Sequence, residues 1–217
     1  VEVNVANMML RTMRGDTVTN TMKVCVGQPP KHKTPLLYGK MYEVVLNPTW
    51  TVPSSIIINE ISRKMISDPS YISRNRMKVY KNREAVSEYS VPWSSISKKY
   101  QPYVIVQDAG EGNSLGRIKF NFSNPFNVYL HDTNAKSVFQ RHYRAVSHGC
   151  VRVERPLELA YFCMNDIDTT SKKQVNKRNL LKDQILYSID RQPLTRQGRE
   201  YFETEGKGKK MSRIELN

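Results

Sequence analysis

Ser147-His148-Gly149-Cys150-Val151-Arg152 is the stretch on which the reading of this chain turns. It sets a cysteine between a glycine and a valine, with a histidine two residues before it and an arginine two after. A free thiol has a pKa of roughly 8.5 and is mostly protonated near neutrality, so a nucleophilic cysteine needs a base within reach. Gly149 lets the backbone turn tightly and lets a substrate carbonyl approach Cys150. Successive N–H groups at such a turn can aim at one oxygen, an arrangement worth about 3–4 kcal/mol per donor to a tetrahedral oxyanion. Arg152 adds positive charge that suits a substrate carboxylate or lowers the thiol pKa.

Two histidines compete for the role of base. His148 and Cys150 fall on one face of an extended segment, but side by side, and they need not meet. Upstream, Tyr129-Leu130-His131-Asp132 ends a strand-like stretch in which Val128 and Leu130 share one face while Tyr129 and His131 share the other. A base arriving on a neighbouring strand can face the sulfur directly. We therefore favour His131 as base and give His148 an orienting or oxyanion-site role, although the spacing alone leaves both open.

Composition bounds the alternatives. The 217 residues suit one domain with insertions, or one and a small second, and 39% apolar residues are enough for a core. No stretch of about 18 apolar residues occurs, so no membrane-spanning helix is expected. With 34 Lys+Arg against 20 Asp+Glu the net charge is +14, which favours anionic partners. No zinc-finger, RNA-binding or helix-turn-helix signature accompanies that charge, so nucleic acid is not expected as a partner. The three cysteines (Cys25, Cys150, Cys163) contain no Cys-X-X-Cys unit, and the four histidines form no His-Glu-X-X-His helix, so neither a disulfide framework nor a metal site is expected.

Outward from the motif the pattern is mainly β with a few helices. Residues 1–27 alternate as a hairpin about Arg14-Gly15-Asp16, with Cys25 packed on the face opposite Val24 and Val26. Met41–Leu46 reads as a strand. A helix follows Pro53, capped by Ser54 or Ser55, with Ile58, Ile61 and Met65 on one face. Short strands are expected at 77–80 and 86–89, then at 103–107 and 118–122. The glycine-rich loop 110–116 lacks the Gly-Lys-Ser/Thr of a phosphate loop. A helical turn is expected at 137–143. Pro156 opens a helix with Leu157, Ala160, Tyr161 and Met164 in one stripe and Cys163 packed at its end. Beyond residue 168 a helix at 177–186, a strand at 186–189 and a mobile Gly/Lys stretch at 206–210 are expected. The densest basic runs lie at 172–178 and 207–213.

The segment from His131 to Arg152 resembles the active-site signature of the L,D-transpeptidases, or YkuD domain: a histidine, a spacer, then Ser/Thr-His-Gly-Cys-hydrophobic-Arg/Asn. Similar forms of Asn47-Pro48-Thr49-Trp50-Thr51-Val52-Pro53, Asp68-Pro69-Ser70-Tyr71, Asn113-Ser114-Leu115-Gly116-Arg117-Ile118-Lys119-Phe120 and Arg144-Ala145 occur in the large periplasmic Gram-negative branch, over about residues 1–165. Asp132 stands where many members have Gly or Ser, as it does in the large branch, and Gln107-Asp108-Ala109-Gly110 replaces a more usual Pro-Gly.

The resemblance implies a β-sandwich catalytic domain over residues 1–190, with a capping subdomain inserted at about 54–104 and a basic tail at 191–217. It implies that Cys150 attacks the carbonyl between residues three and four of a peptidoglycan stem tetrapeptide and releases D-alanine. The thioester then passes to a side-chain amine of another stem, giving a 3→3 cross-link. His131 carries over as base, with His148, Gly149 and Cys150 at the oxyanion site. Arg152, Ser147, Arg144 and Tyr129 are the expected substrate-binding residues. Carbapenem-type inhibitors are implied as ligands, the periplasm as the location, and no metal or organic cofactor. The peptidoglycan-binding module and scaffold of the large branch are not visible, so the stretch is expected to be a catalytic piece. An L,D-carboxypeptidase or a wall-anchoring transferase using the same cysteine is the alternative, and a basic wall- or nucleic-acid-binding module is a third.

Overall fold

The computed structural model describes residues 1–164 and the backbone of 213–215. The expected helix at 177–186, the strand at 186–189, the Gly/Lys stretch at 206–210 and the basic run at 172–178 lie outside the described residues. The chain forms two compact units: residues 1–48 together with the chain from Leu115 onward, and the intervening Thr49–Ser114.

The strands in chain order are β1 (Glu2–Asn4), β2 (Met9–Arg14), β3 (Thr17–Gly27) and β4 (Met41–Leu46), then β5 (Trp50–Thr51), β6 (Met77–Lys81), β7 (Glu84–Val86) and β8 (Tyr103–Gln107). There follow β9 (Ile118–Phe122), β10 (Leu130–His131), β11 (Ala145–Ser147), β12 (Val151–Val153) and β13 (Arg213–Glu215). The fold is therefore mainly β, in two sheets, with a few helices. The first unit holds a nine-stranded sheet among the described residues, in the order β1-β2-β3-β12-β10-β9-β4-β13, with β11 beside β3.

Strand β3 is the long member because Val24 and Val26 alternate with Lys23 and Cys25, and its start returns from β2 through Gly15 at φ +55. Both strands meet where the turn at Arg14-Gly15-Asp16 was expected, but the first strand is separate: β1 pairs antiparallel with β2. The inward face collects Leu10, Met22, Val24, Val26, Val44, Leu46, Ile118, Phe120, Leu130, Val151 and Val153. The helix Pro156–Met164 completes this core. Its buried residues are Pro156, Leu159, Ala160, Cys163 and Met164, whereas Leu157 and Tyr161, expected in the stripe, are only partly buried. At about 25 cal/mol per Å² of apolar area removed from water, these side chains are the main favourable term for the unit. Strand β13, inside the expected basic tail, pairs antiparallel with β4 and was not foreseen.

In the second unit a four-stranded sheet β5-β8-β6-β7 packs with helical segments around Ile57, Ile61, Met65, Ile72, Val79 and Ile105. The helix after Pro53 differs from expectation in two ways. Neither Ser54 nor Ser55 caps it, since Pro53 occupies the cap and has no side-chain hydrogen bond to give. Its middle, Ile57–Ile61, is π-helical, and this wider turn brings Ile57 and Ile61 inward while leaving Ile58 only partly covered. No helix among the described residues is long and apolar enough to cross a membrane.

Candidate active site

The site lies on the outward face of the strands whose inward face forms the first core. Because β9, β10 and β12 alternate, the residues between the buried Ile118, Phe120, Leu130, Val151 and Val153 point away from the core. Antiparallel pairing sets His131 opposite Lys119, parallel pairing sets His131 opposite Arg152, and Arg152 in turn pairs with Cys25. A single cross-strand row therefore reads Lys119, His131, Arg152, Cys25. One step along, the Val151 amide donates to the Tyr129 carbonyl at 3.1 Å, so Cys150 sits beside Tyr129 and diagonally across from His131.

His131 is 6% exposed, and its Nδ1 is hydrogen-bonded to the carbonyl oxygen of Asp132. A carbonyl only accepts, so Nδ1 carries the proton and Nε2 keeps its lone pair. The Tyr129 ring meets the imidazole edge-on, with centroids 5.6 Å apart. Burial is the main cause that pushes the imidazolium pKa down to about 3; Arg152 and Lys119 add to it, and the Asp132 carbonyl opposes it. Cys150 is a free thiol, half-buried, with its Sγ 3.9 Å from the Asn127 carbonyl oxygen. Burial raises its pKa, while hydrogen bonding to Tyr129 and the charges of Lys119 and Arg152 pull it back. At neutral pH the site thus holds a thiol and a neutral imidazole rather than a thiolate–imidazolium pair.

The chain after His131 is pinned by Asp132. Its buried carboxylate accepts from the Arg117 amide at 2.8 Å and the Thr133 amide at 2.6 Å, and pairs with Lys136. The carboxylate fills the space a side chain at Gly116 would need, and Gly116 has φ +62. This fixes the Asp132 carbonyl, and through it the imidazole.

The turn before Cys150 is built from a different set of contacts. Gly149 has φ +120, a conformation L side chains rarely adopt. Ser147 is buried, and its hydroxyl donates to the Cys150 carbonyl at 2.6 Å while accepting from the Gly149 amide at 3.1 Å. The Gly149 amide is thus engaged within the turn rather than presented to a ligand. The segment after β3 supports the turn from outside. The Thr34 hydroxyl donates to the Gly149 carbonyl and accepts from the Gly27 amide, both at 2.8 Å. The His32 ring packs on the exposed His148 ring with centroids 4.6 Å apart.

The sequence-predicted residues therefore divide. Cys150, His131, Tyr129 and Arg152 are brought together, and Ser147, His148 and Gly149 form the turn leading into them. Arg144 is engaged elsewhere. It is 6% exposed, and its guanidinium donates to the carbonyls of Val24, Met8, Arg141 and His142 at 2.8–3.2 Å. Those contacts tie the segment before β11 to β3. Conversely, Lys119, Asp132, His32 and Thr34 stand at the site without having been expected among its residues. Lys119 was within reach of the pattern, because it alternates with the apolar Ile118 and Phe120; His32 and Thr34 lie in a segment with no periodicity to place them.

Beside Cys150 a cleft of about 570 Å³ opens over β9 and the following loop, with Tyr42, Lys119, Asn121, Ser123, Asn127 and Tyr129 among its lining. Among the described residues no group of three His, Cys, Asp or Glu side chains could hold a metal ion.

A nucleophile-type cysteine, an oriented imidazole on the adjoining strand and a glycine turn form the kind of site that performs acyl transfer. The chain matches the model of the YkuD L,D-transpeptidase catalytic domain over residues 1–176. It is 35% identical over 173 residues to a Haemophilus influenzae protein provisionally named an L,D-transpeptidase, an alignment that covers 79% of this chain. The chain spans about a third, 35%, of the length of that curated relative. A solved structure of an L,D-transpeptidase from Mycobacterium smegmatis is 16% identical, with a TM-score of 0.34, covering 73% of this chain and 50% of that one. On the match that runs from residue 1 to residue 176, this chain belongs to the YkuD L,D-transpeptidase catalytic-domain family.

Proposed function

We propose that the chain forms 3→3 cross-links between peptidoglycan stem peptides in the periplasm through a thioester on Cys150. The observation that carries this reading is the pairing of β10 with β12, which sets Cys150 and His131 on one outward face with the imidazole Nδ1 held by Asp132. Both groups are neutral at pH 7, so proton transfer accompanies attack. The Cys150 sulfur bonds to the carbonyl carbon of residue three as His131 Nε2 takes the thiol proton. Collapse of the tetrahedral intermediate breaks the C–N bond, and the proton passes to the departing D-alanine amine. A side-chain amine of a second stem then attacks the thioester, loses its proton to His131, and returns the thiol.

Oxyanion stabilisation falls to the turn at His148, Gly149 and Cys150, with the Cys150 amide as a donor while the Gly149 amide is held by Ser147. Arg152, whose Nε is buried without a hydrogen-bond partner among the described residues, is the donor we assign to substrate, with Tyr129 as the wall beside the sulfur. The capping role of the inserted unit and the binding of carbapenem-type inhibitors are carried over from the resemblance.

The test is intact mass after incubation with a stem tetrapeptide, with product analysis of the same sample. A thioester lacking D-alanine is expected on the native chain and none on Cys150→Ala. 3→3 dimers support cross-linking; trimmed tripeptides alone replace it with carboxypeptidase activity. His131→Ala should slow acylation more than His148→Ala, and the reverse order overturns the choice of base. With His131 neutral down to about pH 3, the rate should show no inflection near 6.5.

A further inference from the structure

Among the described residues, the lining of the cleft beside Cys150 holds one charged side chain, Lys119, with amide, hydroxyl and aromatic side chains and the aliphatic Val128 around it. Its size falls in the range of small-ligand sites. Part of the wall is structural. The Asn124 amide donates to the Phe122 and Val128 carbonyls, its oxygen accepts from the Phe126 and Val128 amides, and Asn121 donates to Glu43 at 2.6 Å. Those contacts fix the loop after β9 and tie β9 to β4.

Lys119 is placed differently. Its backbone is fixed opposite His131, and its ammonium sits 4.1 Å from the centroid of the Tyr129 ring, which packs on His131. The cation is thereby held at the boundary between cleft and sulfur, close enough that its charge acts on both Cys150 and His131. A polar cleft with a positioned ammonium discriminates for a carboxylate, because a charge-assisted contact is lost when the acid becomes an amide.

We infer that Lys119 is a specificity-determining residue that anchors a carboxylate of the stem peptide in the cleft beside Cys150. This rests on the reading of the site as a stem-peptide acyltransferase. Two carboxylates have the right chemistry: the C-terminal one of residue four, which leaves with D-alanine, and a side-chain carboxylate on a diamino acid at residue three, which stays on the enzyme.

The experiment is a binding cycle in the Cys150→Ala background, where no turnover occurs. Dissociation constants are measured for a tetrapeptide carrying both carboxylates, for the same peptide with a C-terminal amide, and for one with lysine at residue three. One neutralised peptide should bind ten- to a hundredfold more weakly, and Lys119→Gln should impose that same loss on the parent while adding none to that peptide. Lys119→Arg should restore the preference. The peptide that shows the coupling identifies the carboxylate. Equal losses from Lys119→Gln on all three peptides, equal binding of all three by the parent, or coupling that follows Arg152→Gln instead would each overturn the inference. A native chain that gives no thioester while the coupling persists removes the transpeptidase reading and leaves the carboxylate site standing. A thioester without coupling does the opposite.

Discussion

Strands β9, β10 and β12 have two faces of opposite character. Inward they present Ile118, Phe120, Leu130, Val151 and Val153, all at most 5% exposed. Outward the same strands carry Lys119, Asn121, His131 and Arg152, with Tyr129 and Cys150 at the strand ends. The backbone hydrogen bonds are common to both faces; only the side chains differ. The inward face supplies stability through buried area, and the outward face tolerates a cationic row because burial on the other side already holds the strands in register. Displacing one strand by a single residue exchanges the faces, so the register that protects the core also aligns the site.

The sharpest way to break this division is at Phe120, fully buried. Phe120→Ala should cost about 3–5 kcal/mol in a denaturation midpoint series, while folded protein keeps its thiol alkylation at Cys150. Loss of alkylation in still-folded protein would show that the faces are not separable.

The outward face should reveal itself in pH dependence. His131 has a depressed folded pKa, so below about 6.5 the unfolded chain takes up a proton that the folded chain refuses. Stability from this group is therefore complete near neutrality and declines as pH falls from 6.5 toward 3. At pH 4.5 the loss should be about 2–3 kcal/mol relative to pH 7. His131→Gln should flatten that part of the curve, leaving only the slope due to carboxylates.

The turn between the faces should respond in an intermediate way. Thr34→Val keeps the shape but leaves the buried Gly27 amide and Gly149 carbonyl without this partner. A loss of about 2 kcal/mol is expected, with acylation slowed more than stability alone explains. At the bottom of the scale, the exposed Lys78–Asp108 pair in the second unit, 3.3 Å apart, should contribute less than about 0.5 kcal/mol, so Lys78→Ala is a control.

Much of this was legible in the chain itself. The alternation of Val24/Val26 against Cys25, and of Ile118/Phe120 against Lys119, already assigns faces, and the motif about Cys150 marks the candidate site. What alternation cannot supply is which strand lies beside which. The row Lys119–His131–Arg152–Cys25 draws on four separate strands, and its members become neighbours only through pairing. Arg144 could not be placed from the pattern for a related reason: a guanidinium serves backbone carbonyls as well as a carboxylate, and the sequence does not show which it meets. The π-helical turn at Ile57–Ile61 escaped because isoleucines at these spacings satisfy the α-helical and π-helical patterns alike.

The interlock of Asp132 with Gly116 constrains how such a chain can vary. A side chain at 116 collides with the Asp132 carboxyl, and shortening residue 132 strips the Arg117 and Thr133 amides of their acceptor. The two positions should therefore vary as a pair across homologues. Homologues with a small residue after the histidine should accept Asn or Asp, which tolerate a left-handed backbone, at the place of Gly116, and their chain beyond the histidine should be secured by some other acceptor. Exchange of either position alone between such lineages should fail where joint exchange succeeds.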